Sequence, residues 1–513
     1  MNSEISSPSR LPKGWVRTTV SEVASLIRGV SYPKEESSKE AKAGYTPILR
    51  ANNIDGELNF NELVYVPRKR VNDEQLVRAF DILIAMSSGS KDLVGKAAQA
   101  NRDFDGGFGA FCGLVRPTQE IDRKFAGFFF RSPNYRSEIS RLSSGVNINN
   151  LRRDHIESMP IPLPPLPQQH RIVSKIEELS TKLDAGVEAL KKIKAQLNRY
   201  RKSVLKYAFE GKLTTEWRQP HKDQLEPVSI LLDRMKEERK KNLKAKYKEL
   251  PPLDTSDLPD LPDGWGYFTL DYLVSSDKNS IRRGPFGSAI KKDFFVSYGY
   301  KVYEQANVIR NDFDRGSYFI DDNKFQELNS FEIKAGDVLM SCSGTVGKLA
   351  VVPERIQPGV INQALLKITL ETQVIDTRYF VYLFGARIDE IMLDNTRGSA
   401  MVNISSVTHL RRVPFPIAPL REQHKIVEET DRYLSVADEI EETVDQSLRQ
   451  AEKLRQSILK HAFEGKLAPQ DPNDEPAEKL LERIRVERAK QQAQTRTPKR
   501  SPRGTSTNQM RLV

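Results

Sequence analysis

The sequence has little cysteine and no long apolar run, and each absence excludes a class of protein. Only Cys112 and Cys342 occur among 513 residues, with no Cys-x-x-Cys pair, so neither a disulfide framework nor a zinc site is indicated. His170 and His424 hold matching positions, but no second ligand lies at metal spacing, which favours a polar role over a ligand role. No apolar stretch reaches the ~20 residues that span a bilayer. The N-terminal segment lacks the apolar core of a secretory signal, so we expect a cytoplasmic protein.

Catalytic motifs are also absent, although four segments come near to one. The segments Gly89–Ala97 and Gly344–Ala350 resemble a phosphate loop but lack its glycine spacing and its Lys-Ser/Thr pair. Ser88–Lys91 fits Ser-x-x-Lys without the partner motifs of that nucleophile. The glycine-rich Gly106–Gly113 does not fit the dinucleotide pattern GxGxxG. The chain is therefore predicted to be non-catalytic.

The charge is unbalanced towards the basic side. There are 80 Lys and Arg against 69 Asp and Glu, which gives a formal net charge of +11. Lysine and arginine neutralise phosphates and supply most of the non-specific affinity for nucleic acid. A basic surface that only keeps the protein soluble would have the same composition, so the charge alone leaves both interpretations open.

What the sequence does contain is a tandem repeat of about 250 residues. "AFEGKL" at Ala208–Leu213 returns at Ala462–Leu467, an offset of 254 residues. Further pairs keep the same order along the chain: "LPKGW" and "LPDGW", "DILIAMSSG" and "DVLMSCSG", "PLPQQHRIV" and "PLREQHKIV". This period is far too long for a solenoid. The chain therefore consists of two copies of a domain with an appendage.

In each copy the predicted secondary structure changes from strands to helix at a proline-rich hinge. Short β-rich runs with turn signals come first, and then "MPIPLPPLP" (Met159–Pro167) or "VPFPIAPL" (Val413–Leu420) predicts a stiff extended connector. A helix of some 40 residues follows and ends at "AFEGKL", where Gly211 and Gly465 are the expected C-caps. Apolar residues at 4,3 spacing predict a coiled-coil seam in these helices: Ile172, Ile176, Leu179, Leu183, Leu190, Ile193, Leu197, Val204, Ile426, Tyr433, Ile440, Val444, Leu454 and Ile458.

An amphipathic helix packed on a globular domain would show a similar stripe, although such helices rarely exceed ~25 residues. We expect the two helices to pair antiparallel, which would relate the copies by a pseudo-two-fold axis. The charged segments Ile230–Leu250 and Ala477–Gln492 predict exposed second helices with a solvated rather than a binding face, and Thr495–Val513 a disordered basic tail.

The predicted boundaries follow from these features. They are residues 1–158 for the first globular domain, 159–213 for its hinge and long helix, 214–258 for a charged helical linker, 259–412 for the second domain, 413–467 for its hinge and long helix, 468–492 for a C-terminal charged helix and 493–513 for the tail.

The doubled order of these motifs resembles the specificity subunit of type I restriction–modification systems over roughly residues 11–490. The segments Asn147–Leu166 and Val402–Leu420 are similar to that family's junctions between recognition domain and helix. The resemblance implies an α+β fold with two mixed α/β target recognition domains, joined by two long conserved helices in an antiparallel coiled coil. Each domain would read one half of a bipartite, asymmetric DNA site, and the coiled coil would set the spacer.

The resemblance also implies partners and cofactors. Two methyltransferase subunits would dock on the helices and methylate adenine with S-adenosylmethionine, and ATP-dependent restriction subunits, which require Mg, would join through them. This chain itself would bind no cofactor and no metal, contribute no catalytic residue and contact double-stranded DNA but no membrane. Two rival classes stay open: an enzyme with cryptic motifs, and a coiled-coil scaffold that binds no DNA.

Candidate DNA-binding residues lie in the loops of the two domains. Arginine, lysine, asparagine, glutamine and serine are chosen because they contact phosphates or the edges of bases, although each could equally serve its own loop. The candidates are Arg50, Asn52, Asn53, Ser87, Ser88, Ser90 and Lys91 in the first domain, and Arg282, Arg283, Gln305, Asn307, Ser343, Thr345 and Lys348 in the second. Replacing Arg50 and Asn53 together by alanine is expected to weaken specific binding and to spare folding.

Overall fold

The fold is taken from a computed structural model that describes residues 11–87, 93–143, 150–243, 249, 253–286, 289–393 and 407–495. The chain divides into two compact units. Unit 1 comprises residues 1–190 and 446–513, and unit 2 comprises residues 191–445. Each unit therefore combines one globular domain with the start of its own long helix and the end of the other copy's long helix.

Unit 1 contains a four-stranded sheet in the order β2-β10-β7-β8, a three-stranded sheet β6-β3-β9, and the strand pairs β1-β11 and β4-β5. The elements in chain order are β1 Val16–Thr19, α1 Val20–Val23, β2 Ala24–Arg28, β3 Tyr45–Leu49, β4 Ile54–Asp55, β5 Glu57–Leu58, β6 Val64–Pro67, β7 Ile82–Ala85, β8 Ala97–Gln99, β9 Gly107–Phe108, β10 Cys112–Pro117, α2 Arg123–Phe129, α3 Pro133–Ser143, α4 Arg153–Glu157, β11 Pro160–Leu163 and the long helix α5 Leu166–Phe209.

Unit 2 repeats this topology with sheets β13-β19-β16-β17, β15-β14-β18 and β12-β20. Its elements are α6 Thr215–His221, α7 Val228–Leu243, β12 Gly266–Thr269, α8 Leu270–Leu273, β13 Ile281–Arg283, β14 Tyr300–Tyr303, α9 Gln305–Arg310, β15 Phe319–Ile320, α10 Asp322–Glu327, β16 Val338–Ser341, β17 Leu349–Val351, β18 Gly359–Ile361, β19 Leu365–Ile368, α11 Thr377–Leu393, α12 Val407–Arg412, β20 Pro414–Ile417 and the long helix α13 Leu420–Phe463; α14, Ala477–Thr495, follows in unit 1. The expected fold class, two repeated mixed α/β domains with two long helices, is confirmed.

The proline-rich hinge is a strand in each unit rather than a free connector. β11 pairs antiparallel with β1, and β20 with β12. The prolines fit because each pair is a two-stranded sheet, where a strand needs hydrogen-bond donors on one side only. The residues between the prolines are buried, with Ile161 1% and Phe415 0% exposed. The hinge thus fixes the start of the long helix against the domain.

The long helices pair antiparallel within each unit. In unit 2, Lys194 contacts Asp445 at 2.7 Å and Arg201 contacts Asp438 at 2.6 Å. Residue numbers therefore increase along α5 in the direction in which they decrease along α13. In unit 1, Arg455 contacts Asp184 at 2.5 Å. The same antiparallel register holds in both units.

Burial follows only part of the predicted seam. Ile172, Ile176, Leu197, Val204, Ile426, Val444 and Ile458 are buried, whereas Leu179, Leu183, Leu190 and Tyr433 are half-buried. The structure corrects the seam at Ile193, Ile440 and Leu454, whose side chains are 38%, 42% and 51% exposed. A straight helix drifts relative to a 3.5-residue repeat, and a single partner helix covers only the residues that face it.

The repeated motifs meet at one junction in each unit. Trp15 Nε1 donates to Gln168 Oε1 at 2.9 Å in unit 1, and Trp265 Nε1 donates to Glu422 Oε2 at 2.9 Å in unit 2. The following residue on each long helix is a glutamine that accepts a backbone hydrogen bond. Gln169 Oε1 accepts from the N–H of Asp122 at 2.9 Å, and Gln423 Oε1 accepts from the N–H of Asp376 at 2.8 Å. The motifs shared by the copies therefore build this junction between domain and helix.

"AFEGKL" belongs to the same junction, but each copy of it serves the other copy's domain. The Phe463 ring lies 5.0 Å from that of Phe125 in unit 1, and Phe209 lies 5.3 Å from Tyr379 in unit 2. Gly465 has φ +71°, and a Cβ there would overlap Pro12 of "LPKGW". The hexamer is repeated because it closes the same contact twice.

The charged helices pack rather than stand free, which differs from the prediction. In unit 2, α7 buries Val228, Leu232 and Met235. In unit 1, α14 buries Leu480 and Ile484 among others. Their apolar residues recur at three- and four-residue spacing within a mostly charged sequence, so the buried stripe is narrow.

Candidate nucleic-acid interface

The candidate interface is formed where four chain segments meet at one end of the sheets in each unit. We call it the loop surface. In unit 1 it comprises Arg28 at the end of β2, Asn52 after β3, Ser87 after β7 and Phe111 between β9 and β10. In unit 2 the corresponding segments carry Arg283, Gln305, Ser343 and Gln363.

Main-chain contacts bring these segments together in unit 1. The N–H of Gly109 donates to the carbonyl of Leu49, and the N–H groups of Met86 and Ser87 donate to the carbonyl of Phe111, at 2.9, 2.9 and 3.1 Å. Gly29 approaches Gly109 so closely that a Cβ at Gly29 would overlap its carbonyl. Only glycine fits at position 29, and this lets the end of β2 lie against the backbone of the glycine-rich segment.

Two of these three hydrogen bonds and the glycine crossing recur in unit 2. The N–H of Asn362 donates to the carbonyl of Tyr303 at 3.0 Å, and the N–H of Cys342 donates to that of Ala364 at 2.8 Å. A Cβ on Gly284 would overlap the carbonyl of Asn362. Ser343 N–H donates to Gln305 Oε1 at 3.3 Å, which joins two of the sequence-predicted residues directly.

The structure corrects the assignment of Asn53 and Asn307. Asn53 is 1% exposed; its Oδ1 accepts from Arg50 N–H, and its Nδ2 donates to the carbonyls of Asn59 and Asn61, each at 2.9 Å. Asn307, 2% exposed, forms the matching set with Glu304 N–H and two carbonyls. Because all these amide groups are used within the loop, neither side chain can reach a base.

The neighbouring Asn52 is exposed, which gives a matched pair of variants. Asn53→Ala should lower the free energy of unfolding by about 2–3 kcal/mol, because it removes three hydrogen bonds made by a buried side chain. Asn52→Ala should change it by less than about 0.5 kcal/mol. Urea unfolding of both variants checks this, and equal stabilities would contradict the structural role of Asn53. The expectation that replacing Arg50 and Asn53 spares folding is corrected accordingly.

The predicted serine, threonine and lysine residues fall into three groups. Ser343, Thr345 and Lys348 are exposed in the loop between β16 and β17, and Ser87 is half-buried where the matching loop of unit 1 begins. Ser88, Ser90 and Lys91 lie outside the described residues.

The arginine candidates differ in orientation. Arg283 packs over the exposed ring of Phe286, at 5.0 Å from its centroid. Arg282 alternates to the opposite face of β13, where it packs 4.8 Å from the centroid of Phe331, so it is removed from the loop surface. Arg50 Nη2 donates to the carbonyl of Glu62 at 3.3 Å, which holds part of its guanidinium inside its own loop.

Sequence reasoning missed a cleft of about 650 Å³ beside the loop surface of unit 1. Arg28, Arg78, Arg116 and Arg153 contribute to its walls. Arg116 is bound to Asp81 at 2.7 Å and Arg153 to Glu157 at 2.8 Å. Arg28 and Arg78 are exposed and form no ion pair within the described ranges, so they can face phosphates. The sequence did contain a signal for Arg28: the pair Arg28-Gly29 at the end of β2 recurs as Arg283-Gly284 at the end of β13.

Neither cysteine beside the loop surfaces is an activated thiol. Burial raises the pKa of the Cys112 thiol to about 12 and that of Cys342 to about 11, so both thiols stay protonated and are poor nucleophiles. Among the described residues, no group of three or more His, Cys, Asp or Glu side chains could hold a metal ion. In the same part of the chain, no helix has the length and apolarity needed to cross a membrane.

Comparison with known proteins gives consistent matches. Residues 12–199 and 265–450 match the sequence model of the type I restriction modification DNA specificity domain. The chain is 30% identical over 498 residues to the type I restriction enzyme StySPI specificity subunit of Salmonella potsdam, covering 94% of this chain and 96% of that protein. It is also 30% identical over 499 residues to the EcoKI specificity subunit of Escherichia coli K12, covering 94% and 97%.

A solved structure, described in terms of complex assembly and conformational transition of a type I R-M system, covers 90% of this chain and all of that chain. It has a TM-score of 0.57 and 17% sequence identity. At this identity the likeness concerns the fold alone. It agrees with two repeated domains and long helices.

Proposed function

The chain belongs to the family of type I restriction–modification specificity subunits, and from this premise we propose that units 1 and 2 each read one half of a bipartite, asymmetric DNA site. The observation that supports this most directly is the pair of loop surfaces. They share two main-chain hydrogen bonds and a glycine crossing, whereas the side chains they carry differ. Different side chains on one backbone frame suit the recognition of two different base sequences.

Phosphate contacts and base contacts would be divided among these side chains. Arg28 and Arg78 in the cleft of unit 1 would bind the DNA backbone, together with Lys348 in unit 2. Asn52 in unit 1 and Gln305, Ser343 and Gln363 in unit 2 would hydrogen-bond with base edges, which amide and hydroxyl groups do well in the major groove.

The long helices would set the spacer and dock two methyltransferase subunits. Apolar side chains on them support a docking role: in unit 2, Tyr207, Val436 and Ile440 are 53%, 50% and 42% exposed. In this proposal the methyltransferases bind S-adenosylmethionine and methylate adenine, and restriction subunits that use ATP and Mg join through them. The chain itself supplies recognition and no catalytic group, in the cytoplasm where the DNA lies.

The test is to co-express the chain with the methyltransferase of its own system and to map methylated adenines. Replacing Ser343, Thr345 and Lys348 together by alanine should relax the half-site read by unit 2 and lower its methylation about tenfold or more, because a lost base contact costs ~1–3 kcal/mol and the loss of Lys348 also removes a phosphate contact. The half-site read by unit 1 should keep its sequence.

Lys291 and Lys292 provide the matched control, since both are exposed but precede β14, whereas the loop surface follows its far end. Their replacement by alanine should leave both half-sites unchanged. Methylation or cleavage by the isolated chain would favour the rival enzyme class. Binding without sequence preference after assembly would favour a scaffold.

A further inference from the structure

Phe111 is the most exposed large apolar side chain of the described part of unit 1, at 70%. It lies in the turn between β9 and β10, at the centre of the loop surface, and packs in none of the hydrophobic clusters of the unit. An apolar ring gains free energy when a bound molecule removes it from water. A ring left in solvent at this position is therefore available to a bound molecule.

The backbone that carries Phe111 is held firmly. Its carbonyl accepts from the N–H groups of Met86 and Ser87 at 2.9 and 3.1 Å, and the next N–H, of Cys112, donates to the carbonyl of Gly109 at 2.9 Å. Cys112 is 3% exposed and anchors β10 in the core. The exposed ring thus stands on a fixed turn rather than on a loose loop, which limits the entropy lost on binding.

The corresponding turn of unit 2 has a different chemistry. The position that matches Phe111 in its main-chain hydrogen bond is Ala364, and the exposed side chain of that turn is Gln363. One turn therefore offers an aromatic ring and the other an amide. An amide hydrogen-bonds with adenine, whereas an apolar ring in the major groove contacts the 5-methyl group of thymine.

We propose that Phe111 contacts the 5-methyl group of a thymine and thereby makes unit 1 specific for that base at one position of its half-site. This inference rests on the proposed function, because it requires the loop surface of unit 1 to face the major groove. Arg28, in the adjacent segment, would hold the neighbouring phosphate and would carry no information about sequence.

The experiment replaces each thymine of the half-site read by unit 1, one at a time, with deoxyuridine, which lacks only the methyl group. Binding of these duplexes to the complex of the chain with its methyltransferase is measured for the wild type and for Phe111→Ala. At one position the wild-type complex should lose about tenfold in affinity on deoxyuridine. The Phe111→Ala complex should bind the thymine duplex about tenfold more weakly than the wild type does, and deoxyuridine should not weaken its binding further.

Two further variants keep the result interpretable. Phe111→Leu retains an apolar contact and should retain part of the deoxyuridine effect, which separates readout from a folding defect. Arg28→Ala should keep the full deoxyuridine effect. It should also lower the slope of log affinity against log salt concentration by about the amount expected for one lost phosphate contact.

The inference is overturned if no deoxyuridine weakens the wild type, if Phe111→Ala responds as the wild type does, or if that half-site contains no thymine. A loss on Phe111→Ala without coupling to any methyl group also overturns it, because the ring would then act by stacking. Failure of the proposed function looks different: the wild-type complex would select no bipartite site at all.

Discussion

Inserting seven residues after Leu190 and seven after Leu448 is expected to abolish methylation of the native site and to create methylation at sites with a longer spacer. The ion pairs of the two units define one antiparallel register, in which these two points lie opposite each other. Each insertion adds about 10.5 Å to a helix and rotates it by only about 20°, so the buried face is kept. Genome-wide mapping of methylated adenines measures the spacer directly.

The control for this change is the same insertion in α5 alone. It shifts one helix against the other, separates Lys194 from Asp445 and Arg201 from Asp438, and should prevent assembly rather than move the spacer. If the paired insertion leaves the native spacer unchanged, the long helices do not set it, and that part of the proposed function fails while the half-site assignment stands.

Arg218→Ala is expected to destabilise unit 2 by about 3–5 kcal/mol, the usual cost of removing one partner from a buried ion pair. Arg218 Nε donates to Glu422 Oε1 at 2.8 Å, and the two side chains are 9% and 0% exposed. Thr214 Oγ1 donates to the same oxygen at 2.7 Å, and Trp265 Nε1 to the other at 2.9 Å. The variant would leave the carboxylate buried without its counter-charge.

The thermal transition of unit 2 should therefore fall by about 10 °C or more. Lys222→Ala is the matched control, since Lys222 lies 3.9 Å from Asp263 with both side chains in solvent, and it should change stability by less than about 0.5 kcal/mol. A small effect of Arg218→Ala would mean that water enters the site. Unit 1 should melt unchanged, because Gln168 replaces the glutamate there and needs no arginine.

This difference between Gln168 and Glu422 marks how far the repeat can be predicted. The equivalence of the two segments follows from the shared letters around them, and so does the start of each long helix after the prolines. That one copy is neutral and the other charged is also plain in the sequence. The sequence does not show that Arg218, 204 residues before Glu422, supplies the positive charge that pairs with it. That pairing depends on how "AFEGKL" of the first copy folds back on the second domain.

The candidate interface was predicted less completely, for a physical reason that Asn52 and Asn53 illustrate. An amide side chain suits both a base edge and a loop carbonyl, and its residue type does not distinguish the two uses. In the structure the first is exposed and the second is buried with all its groups bound. Arg28 and Phe111 escaped prediction because their neighbours on the loop surface come from strands far apart in the chain.

The sequence by itself determined the duplication and the helix ends, since these depend on local pattern: repeated motifs, 4,3 spacing, proline, and a glycine at each helix end. The class of protein followed from the family resemblance that the repeated motifs carry. Only the tertiary structure decided which side chains face outward on the loop surface and which domain each helix end joins. Burial and hydrogen bonding between distant segments settle those choices. That is why two similar loops can present an aromatic ring in one unit and an amide in the other.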